Sequence, residues 1–219
     1  CCPTAIIADI DVMRNAPMEL LRSGLGDMTA KYISICEWRI AHVITGEYYC
    51  ENIAGLVRSS LQKCMGSAQG LLNREPQAVA NVVEGLILCG MAMSFAGVSR
   101  PASGMEHYFS HVWDMRALEL GTQEDLHGIQ CAVGTVLSLE VYDKIKELIP
   151  DKEKALAHAA DFDLSTWNET LRKFIGKGAE SMISIEKTEG KYDVEKHKQR
   201  LNIILANWDQ IQEIIAEEL

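Results

Sequence analysis

The segment over residues 76–96 is almost uniformly apolar after its first turn, with Glu84 as its one charged side chain. A helix on the surface of a domain shows a single apolar stripe, whereas a helix that is apolar on all sides usually lies at the centre. Pro76 suits a first turn, where its missing N–H has no intrahelical partner. The sequence therefore predicts a central helix here. Its most apolar stretch, residues 85–98, is too short and too rich in small residues to span a bilayer.

Helical spacing of apolar residues also dominates the segments on either side. It extends over residues 27–45, 50–61 and 126–148. A short helix is expected to begin near residue 17 and to end at Gly24 and Gly26, which places Asp27 at the start of the next helix. After residue 150 the helices become shorter or more charged, and the last is expected to divide near residues 206–207.

The predicted fold class is all-α, a multi-helix bundle of roughly eight to ten helices without an internal repeat. Residues 17–219 are expected to form one domain, because no linker rich in glycine, serine or proline divides them. Residues 4–10 are rich in β-branched side chains and predict one short strand. A lone strand needs a partner for its backbone groups, and the rest of the chain offers none.

Three short polar segments interrupt the helical pattern. They read SGLGDMTAK at residues 23–31, SRPASGMEHYFSH at 99–111 and LHGIQCAVGT at 126–135. In the second, Ser103 is placed to cap a helix, with Glu106 as the partner of a capping box.

Histidines and one aspartate in these segments form a candidate metal site. His107 and His111 are four residues apart and point to the same side of a helix. His127 follows a second break, near the start of another helix. A metal site usually needs a further ligand, often a carboxylate, and Asp27 is the best upstream candidate.

In this order, the three segments resemble the metal-dependent polyol dehydrogenases of the iron-containing alcohol dehydrogenase and dehydroquinate synthase-like superfamily. They look most like the bacterial form of the glycerol-1-phosphate dehydrogenases. The resemblance covers residues 4–144 and is weaker beyond them. It implies the helical C-terminal domain of such an enzyme. Residues 1–16 would be a strand and linker from a nucleotide-binding domain, and residues 17–219 the metal-binding catalytic domain.

The resemblance also implies roles for individual residues. Asp27, His107 and His127 would be the metal ligands, for zinc, nickel or ferrous iron. His111 would be catalytic and would lie beside the substrate and the nicotinamide of NAD or NADP. The implied reaction is the oxidation of a small phosphorylated polyol, most specifically sn-glycerol 1-phosphate, to dihydroxyacetone phosphate.

Three further residues are candidates for binding the substrate phosphate. Lys31, Arg100 and Ser103 offer cationic or hydroxyl groups near the predicted ligands. Each also has an ordinary explanation, since Lys31 suits a solvated helix surface and Ser103 a helix cap. Glu106 is expected to be a capping partner or a group that orients His107.

Composition limits the partners and the compartment. The formal net charge of −10 argues against nucleic acid or an anionic membrane as a partner. Seven cysteines without a Cys-x-x-Cys motif suit a reducing cytoplasm, and no secretory leader is evident. Most are expected to be small buried apolar residues: Cys36, Cys50, Cys64, Cys89 and Cys131. A homo-oligomer is the expected assembly.

Two other functions remain open at this point. A lyase of the dehydroquinate synthase type shares the architecture and uses a metal and NAD, although its first ligand is typically glutamate, where this chain has Asp27. A non-enzymatic helical module that keeps the motifs but serves as an assembly surface is the other alternative.

The 219 residues contain no Gly-rich dinucleotide loop, the element that normally holds the cofactor pyrophosphate at a helix start. We expect that they are part of a longer protein. Alone, they should bind a divalent metal but show no measurable NAD-dependent oxidation of polyols, because hydride transfer needs the nicotinamide about 3–3.5 Å from the substrate carbon. Robust turnover by a preparation verified by mass to begin at Cys1 would contradict this expectation.

Overall fold

The computed structural model describes residues 3–219, and helices joined by short turns account for most of them. The helices are α1 (Ile10–Met13), α2 (Met18–Thr29), α3 (Lys31–Thr45), α4 (Glu51–Gly66), α5 (Ala68–Leu72), α6 (Pro76–Ala96), α7 (Met105–Leu120), α8 (His127–Lys146), α9 (Lys152–Ala160), α10 (Leu164–Ile175), α11 (Ala179–Glu189), α12 (Val194–Ala206) and α13 (Trp208–Glu218). The predicted all-α multi-helix bundle is confirmed. The structure has more helices than expected, mainly because short helices such as α1 and α5 carry too few residues for a periodic signal.

The predicted strand over residues 4–10 is wrong. These residues have no regular secondary structure up to Ile10, where α1 begins, and the described part of the chain contains no strand. Asp9 caps α1, because its Oδ1 accepts hydrogen bonds from the amides of Asp11 and Val12 at 3.0 and 3.2 Å. Ile7 is 94% exposed. Without a second strand to receive its backbone groups, the β-rich composition of this segment does not produce a sheet.

Helix α2 continues through Gly24 and Gly26, so the predicted helix break at these glycines is also wrong. The break lies at Ala30, between α2 and α3, and Asp27 is in the last turn of α2. The reason is packing against α8. A Cβ on Gly26 would overlap the carbonyl oxygen of Gly128, and a Cβ on Gly128 would overlap that of Ser23. The two glycines let two helix backbones touch.

Helix α6 packs against α1, α2, α4 and α5, but only one of its faces is buried. That face includes Val79, Val82 and Cys89, whereas Phe95 on the opposite side is 62% exposed. The predicted central position is therefore only partly right, because α6 lies among these helices but leaves one side exposed. Among the described helices, α6 is the one long and apolar enough to cross a membrane by length and composition, and a third of its most apolar window is buried within the chain.

The exposed face of α6 lines an open apolar groove of about 1140 Å³, to which residues 3–6 also contribute.

The C-terminal helices do not line this groove. The predicted division near residues 206–207 is confirmed, since α12 ends at Ala206 and α13 begins at Trp208. Helix α13 packs on α3, and the buried Glu218 carboxylate pairs with Arg39 and Arg58 at 2.6 and 2.8 Å. These contacts hold the end of α13 against α3 and α4.

Replacing Gly128 by alanine tests the contact between α2 and α8. We expect Gly128→Ala to lower the free energy of unfolding by about 3 kcal/mol, as overpacking against a rigid backbone does. Gly55→Ala is the matched control, because a Cβ in the middle of α4 meets nothing within 4 Å. That change should stabilise the chain by about 0.5–1 kcal/mol. Urea unfolding followed by circular dichroism measures both, and equal effects would contradict the close-contact explanation.

Candidate metal centre

Four side chains converge where α2, α7 and α8 meet. They are Asp27, His107, His127 and Cys131, and one ligand atom from each lies within 4.8 Å of the others. Asp27 Oδ1 is 3.6 Å from His107 Nε2 and 3.9 Å from His127 Nε2. The sequence predicted the first three as ligands, and the structure brings all three together. Cys131 was expected only as a small buried apolar residue.

Glycines beside these residues make the convergence possible. Gly26 precedes Asp27, Gly128 follows His127, and both lie at the α2–α8 contact. Gly134 allows a similar close contact between α8 and α7, since a Cβ there would lie 2.5 Å from the Glu106 carbonyl oxygen. The motif glycines therefore serve helix packing rather than turns, and they set the spacing of the ligand-bearing helices.

A buried carboxylate orients His107. Glu106 is fully buried, and its Oε1 lies 2.8 Å from His107 Nδ1. The same oxygen accepts a hydrogen bond from the Gly104 amide at 2.8 Å, which satisfies the start of α7. Ser103 makes no such bond, because Gly104 is the N-cap, so the predicted capping role of Ser103 is wrong. With Nδ1 donating to Glu106, His107 presents Nε2 to Asp27, the usual arrangement of a metal-ligating histidine.

A chain of hydrogen bonds that ends at the Asp114 carboxylate orients His127. Its Nδ1 lies 3.1 Å from Ser110 Oγ. That hydroxyl donates to Gln130 Oε1 at 2.6 Å, and the Gln130 amide in turn donates to Asp114 Oδ1 at 2.8 Å. Because the Ser110 proton is committed to Gln130, Ser110 accepts from His127 Nδ1–H. The lone pair on Nε2 is left for a metal ion.

The charges of the cluster are strongly coupled. Burial acts to raise the pKa of Asp27, but the hydrogen bond with His107 and the charge of Lys31 outweigh it and lower this pKa to about 2. Burial acts to lower the pKa of His107, but hydrogen bonds with Asp27, Cys131 and Glu106 raise it to about 11. Burial, together with the charge of His107, lowers the pKa of His127. In the metal-free chain near neutral pH, Asp27 is therefore anionic, His107 carries a proton and His127 is neutral.

A second carboxyl group lies behind Glu106. Burial and the charge of Glu106 raise the pKa of Glu37 to about 7. Glu37 accepts hydrogen bonds from the Met105 amide at 2.9 Å and from the Tyr142 hydroxyl at 3.3 Å. Glu106 Oε2 has no hydrogen-bond partner among the described residues. The first turn of α7 is thus held by one buried acid, Glu106, and one partly buried acid, Glu37, and Glu106 also orients His107.

The cluster opens into a cavity of about 360 Å³. His111 and Ser103 line it beside the three predicted ligands, and the His111 ring centroid is 6.4 Å from that of His107. Lys31 also reaches the cavity, but its side chain is fully buried and its Nζ is 3.2 Å from Asp27 Oδ1 and 3.0 Å from the Ala102 carbonyl oxygen. Arg100 is not among the lining residues, and its Nε pairs with Glu47 at 2.8 Å. Its predicted contact with substrate stays a prediction without support from the geometry.

Several residues of the site were missed from the sequence. Cys131 is four residues after His127 and hence on the same helix face, a spacing that could have singled it out. Ser110, Gln130 and Glu37 carried no comparable signal, because their roles depend on how α3, α7 and α8 meet.

Comparison with known proteins agrees with the motifs. No family model matches the chain. It is 41% identical over 140 residues to the glycerol-1-phosphate dehydrogenase (NAD(P)+) of Hyperthermus butylicus, which covers 64% of this chain and 39% of the relative. It is 44% identical over 138 residues to that of Staphylothermus marinus, and 35% identical over 140 residues to that of Halalkalibacterium halodurans. The predicted resemblance is confirmed. The chain spans about two fifths of the length of these curated relatives.

The role of Glu106 can be tested through metal affinity. Glu106→Gln keeps an oxygen near His107 Nδ1 but removes the negative charge that makes the imidazole a stronger metal ligand. We expect a loss of about 10- to 100-fold in zinc affinity, as is usual for the partners of ligand histidines. Glu140→Gln is the control, since Glu140 is exposed on α8. Competition with a chromophoric chelator measures both. Unchanged affinity in the folded Glu106→Gln chain would contradict the assignment.

The pKa shifts also predict how metal binding depends on pH. A divalent ion must displace the proton that His107 holds up to about pH 11, whereas Asp27, with a pKa of about 2, has none to release. Zinc affinity should therefore rise about tenfold or more per pH unit between pH 6 and 8. Zinc titrations at three pH values in that interval check this slope. An affinity that is flat with pH would show that His107 does not have to lose a proton.

Proposed function

We propose that this chain is the metal- and substrate-binding part of an NAD(P)-linked dehydrogenase of a small phosphorylated polyol, with sn-glycerol 1-phosphate and dihydroxyacetone phosphate as the reacting pair. The observation that carries the proposal is the cluster of Asp27, His107 and His127 at the positions of the three family-like motifs. The names of the curated relatives support the substrate and the cofactor. The same names favour a dehydrogenase over the lyase and the non-enzymatic module.

The residues of the cluster fit a divalent ion. Asp27 is anionic at neutral pH, and both histidines direct Nε2 inwards because their Nδ1 atoms are occupied by Glu106 and Ser110. One carboxylate and two imidazoles suit zinc, nickel or ferrous iron. When bound, such an ion supplies Lewis acidity that lowers the pKa of the substrate hydroxyl or polarises the ketone of the product.

The remaining steps fall to side chains of the cavity. Lys31 ties Asp27 to the Ala102 carbonyl group, so it keeps the ligand carboxylate in place. His111 is one helical turn after His107 and lines the cavity, where it can accept the hydroxyl proton and pass it to solvent. Ser103 offers a hydroxyl group from the adjacent loop to the phosphate end of the substrate.

The cofactor is proposed to approach from the groove beside α6. This groove and the metal cavity share Leu86, Gly90 and Met93 as lining residues, so the two spaces adjoin each other. The groove is apolar and open, which suits a nicotinamide ring held there by a nucleotide-binding domain. His111 would then contact both substrate and nicotinamide. We also propose a cytoplasmic location, since the cysteines in the described part of the chain are free thiols.

The substrate class can be tested in an enzyme that contains this chain together with a nucleotide-binding domain. Loaded with metal, it should prefer glycerol 1-phosphate to glycerol by roughly 10³-fold or more in kcat/KM, because a site built for a polar group rejects an analogue that lacks it. Ser103→Ala should reduce this ratio, whereas Ser59→Ala on the exposed side of α4 should not. Comparable turnover of both substrates would contradict the phosphorylated class, and activity without metal would contradict the role of the cluster.

A further inference from the structure

Cys131 differs from the other cysteines of the described residues in what its sulfur touches. Its Sγ is 3.4 Å from His127 Nε2, the nitrogen directed towards the cluster. The sulfur of Cys64 instead contacts the Asn81 carbonyl oxygen at 3.4 Å, and that of Cys89 contacts the sulfur of Met28 at 3.8 Å. Among the described cysteines, Cys131 is therefore the one whose sulfur is placed to donate to a metal ion in the predicted site.

We propose that the Cys131 thiolate is a fourth protein ligand of the metal, so that the centre has an aspartate, two histidines and a cysteine. This inference rests on the proposed metal site and adds to it a ligand that the three motifs do not imply. In a tetrahedral site with bonds of about 2.0–2.3 Å, neighbouring ligand atoms are about 3.3–3.8 Å apart. The distances of 3.4, 3.6 and 3.9 Å within the cluster are on that scale.

The side from which the sulfur approaches matters for function. Cys131 is fully buried and is not among the residues that line the cavity, whereas Asp27, His107 and His127 are. Its sulfur therefore reaches the cluster from the protein interior. A substrate approaching through the cavity would meet the opposite side of the ion and would bind as a fifth ligand, which zinc accepts by expanding from four- to five-coordinate.

Coordination converts the thiol to a thiolate, with its proton passing to solvent as the metal–sulfur bond forms. Together with the Asp27 carboxylate, the thiolate balances the two charges of the ion. A thiolate is a soft donor that favours zinc or cobalt over magnesium or manganese. With Cys131 as a ligand, the centre would favour the softer ions more strongly than a set of one aspartate and two histidines does.

Cobalt(II) absorption tests this proposal on the 219-residue chain. Visible d–d bands report that cobalt is bound in a low-symmetry site, and a near-ultraviolet sulfur-to-cobalt charge-transfer band reports a thiolate ligand. We expect both in the unmodified chain. Cys131→Ser should lose the near-ultraviolet band and keep the visible ones. Cys89→Ser is the matched control, because Cys89 is buried and lines the metal cavity, and it should keep both.

Each outcome separates this inference from the proposed function. Visible bands without the charge-transfer band in the unmodified chain would overturn the fourth ligand and leave the three-residue site standing. A charge-transfer band that survives in Cys131→Ser would also overturn the assignment of Cys131, because another thiol would then be the ligand. Failure of the folded chain to bind cobalt would overturn both proposals. If Cys131→Ser does not fold, zinc X-ray absorption of the unmodified chain decides, through a sulfur scatterer at about 2.3 Å or its absence.

Discussion

The backbone contact between α2 and α8 is the constraint on which the rest of the site depends. Two helices can approach this closely only where glycines replace larger residues, and here Gly26 and Gly128 meet the opposing backbone. Each glycine is next to a proposed ligand, Asp27 or His127. The distance between α2 and α8 therefore also sets the distance between Asp27 and His127. The site does not rely on flexible loops for its geometry.

Polar groups, as well as apolar packing, fix the start of helix α7 and join it to α3. Glu106 caps the helix and orients His107 with one oxygen, and Glu37 binds the next amide of the same turn. Removing acids from water, Glu106 fully and Glu37 in part, is costly unless they are hydrogen-bonded or neutral. The raised pKa of Glu37 is a sign of that cost. This cost falls where Glu106 holds His107, a proposed ligand, in one orientation.

Sequence patterns predicted the fold class and the convergence of Asp27, His107 and His127, because helical periodicity is local and the motifs carry their own context. The predicted helix break at Gly24 and Gly26 was misplaced. The sequence around a glycine does not distinguish one that ends a helix from one that lets a second helix pack closely. The strand over residues 4–10 was predicted from composition, but pairing is decided by a partner that the described residues do not provide. The predicted burial of Cys131 is confirmed, but its place in the cluster was not predicted, because it depends on how α2, α7 and α8 meet.

The buried ammonium group of Lys31 has a consequence beyond holding Asp27. It hydrogen-bonds both the ligand carboxylate and the Ala102 carbonyl oxygen in the loop before α7, and Ser103 is the next residue of that loop. A molecule that orders the loop through Ser103 would also stabilise the carboxylate in its metal-ready position. Thermodynamic linkage makes such coupling reciprocal, so metal occupancy would tighten the binding of that molecule by the same factor. Lys31 is thus the contact through which binding at Ser103 and binding at Asp27 would be linked.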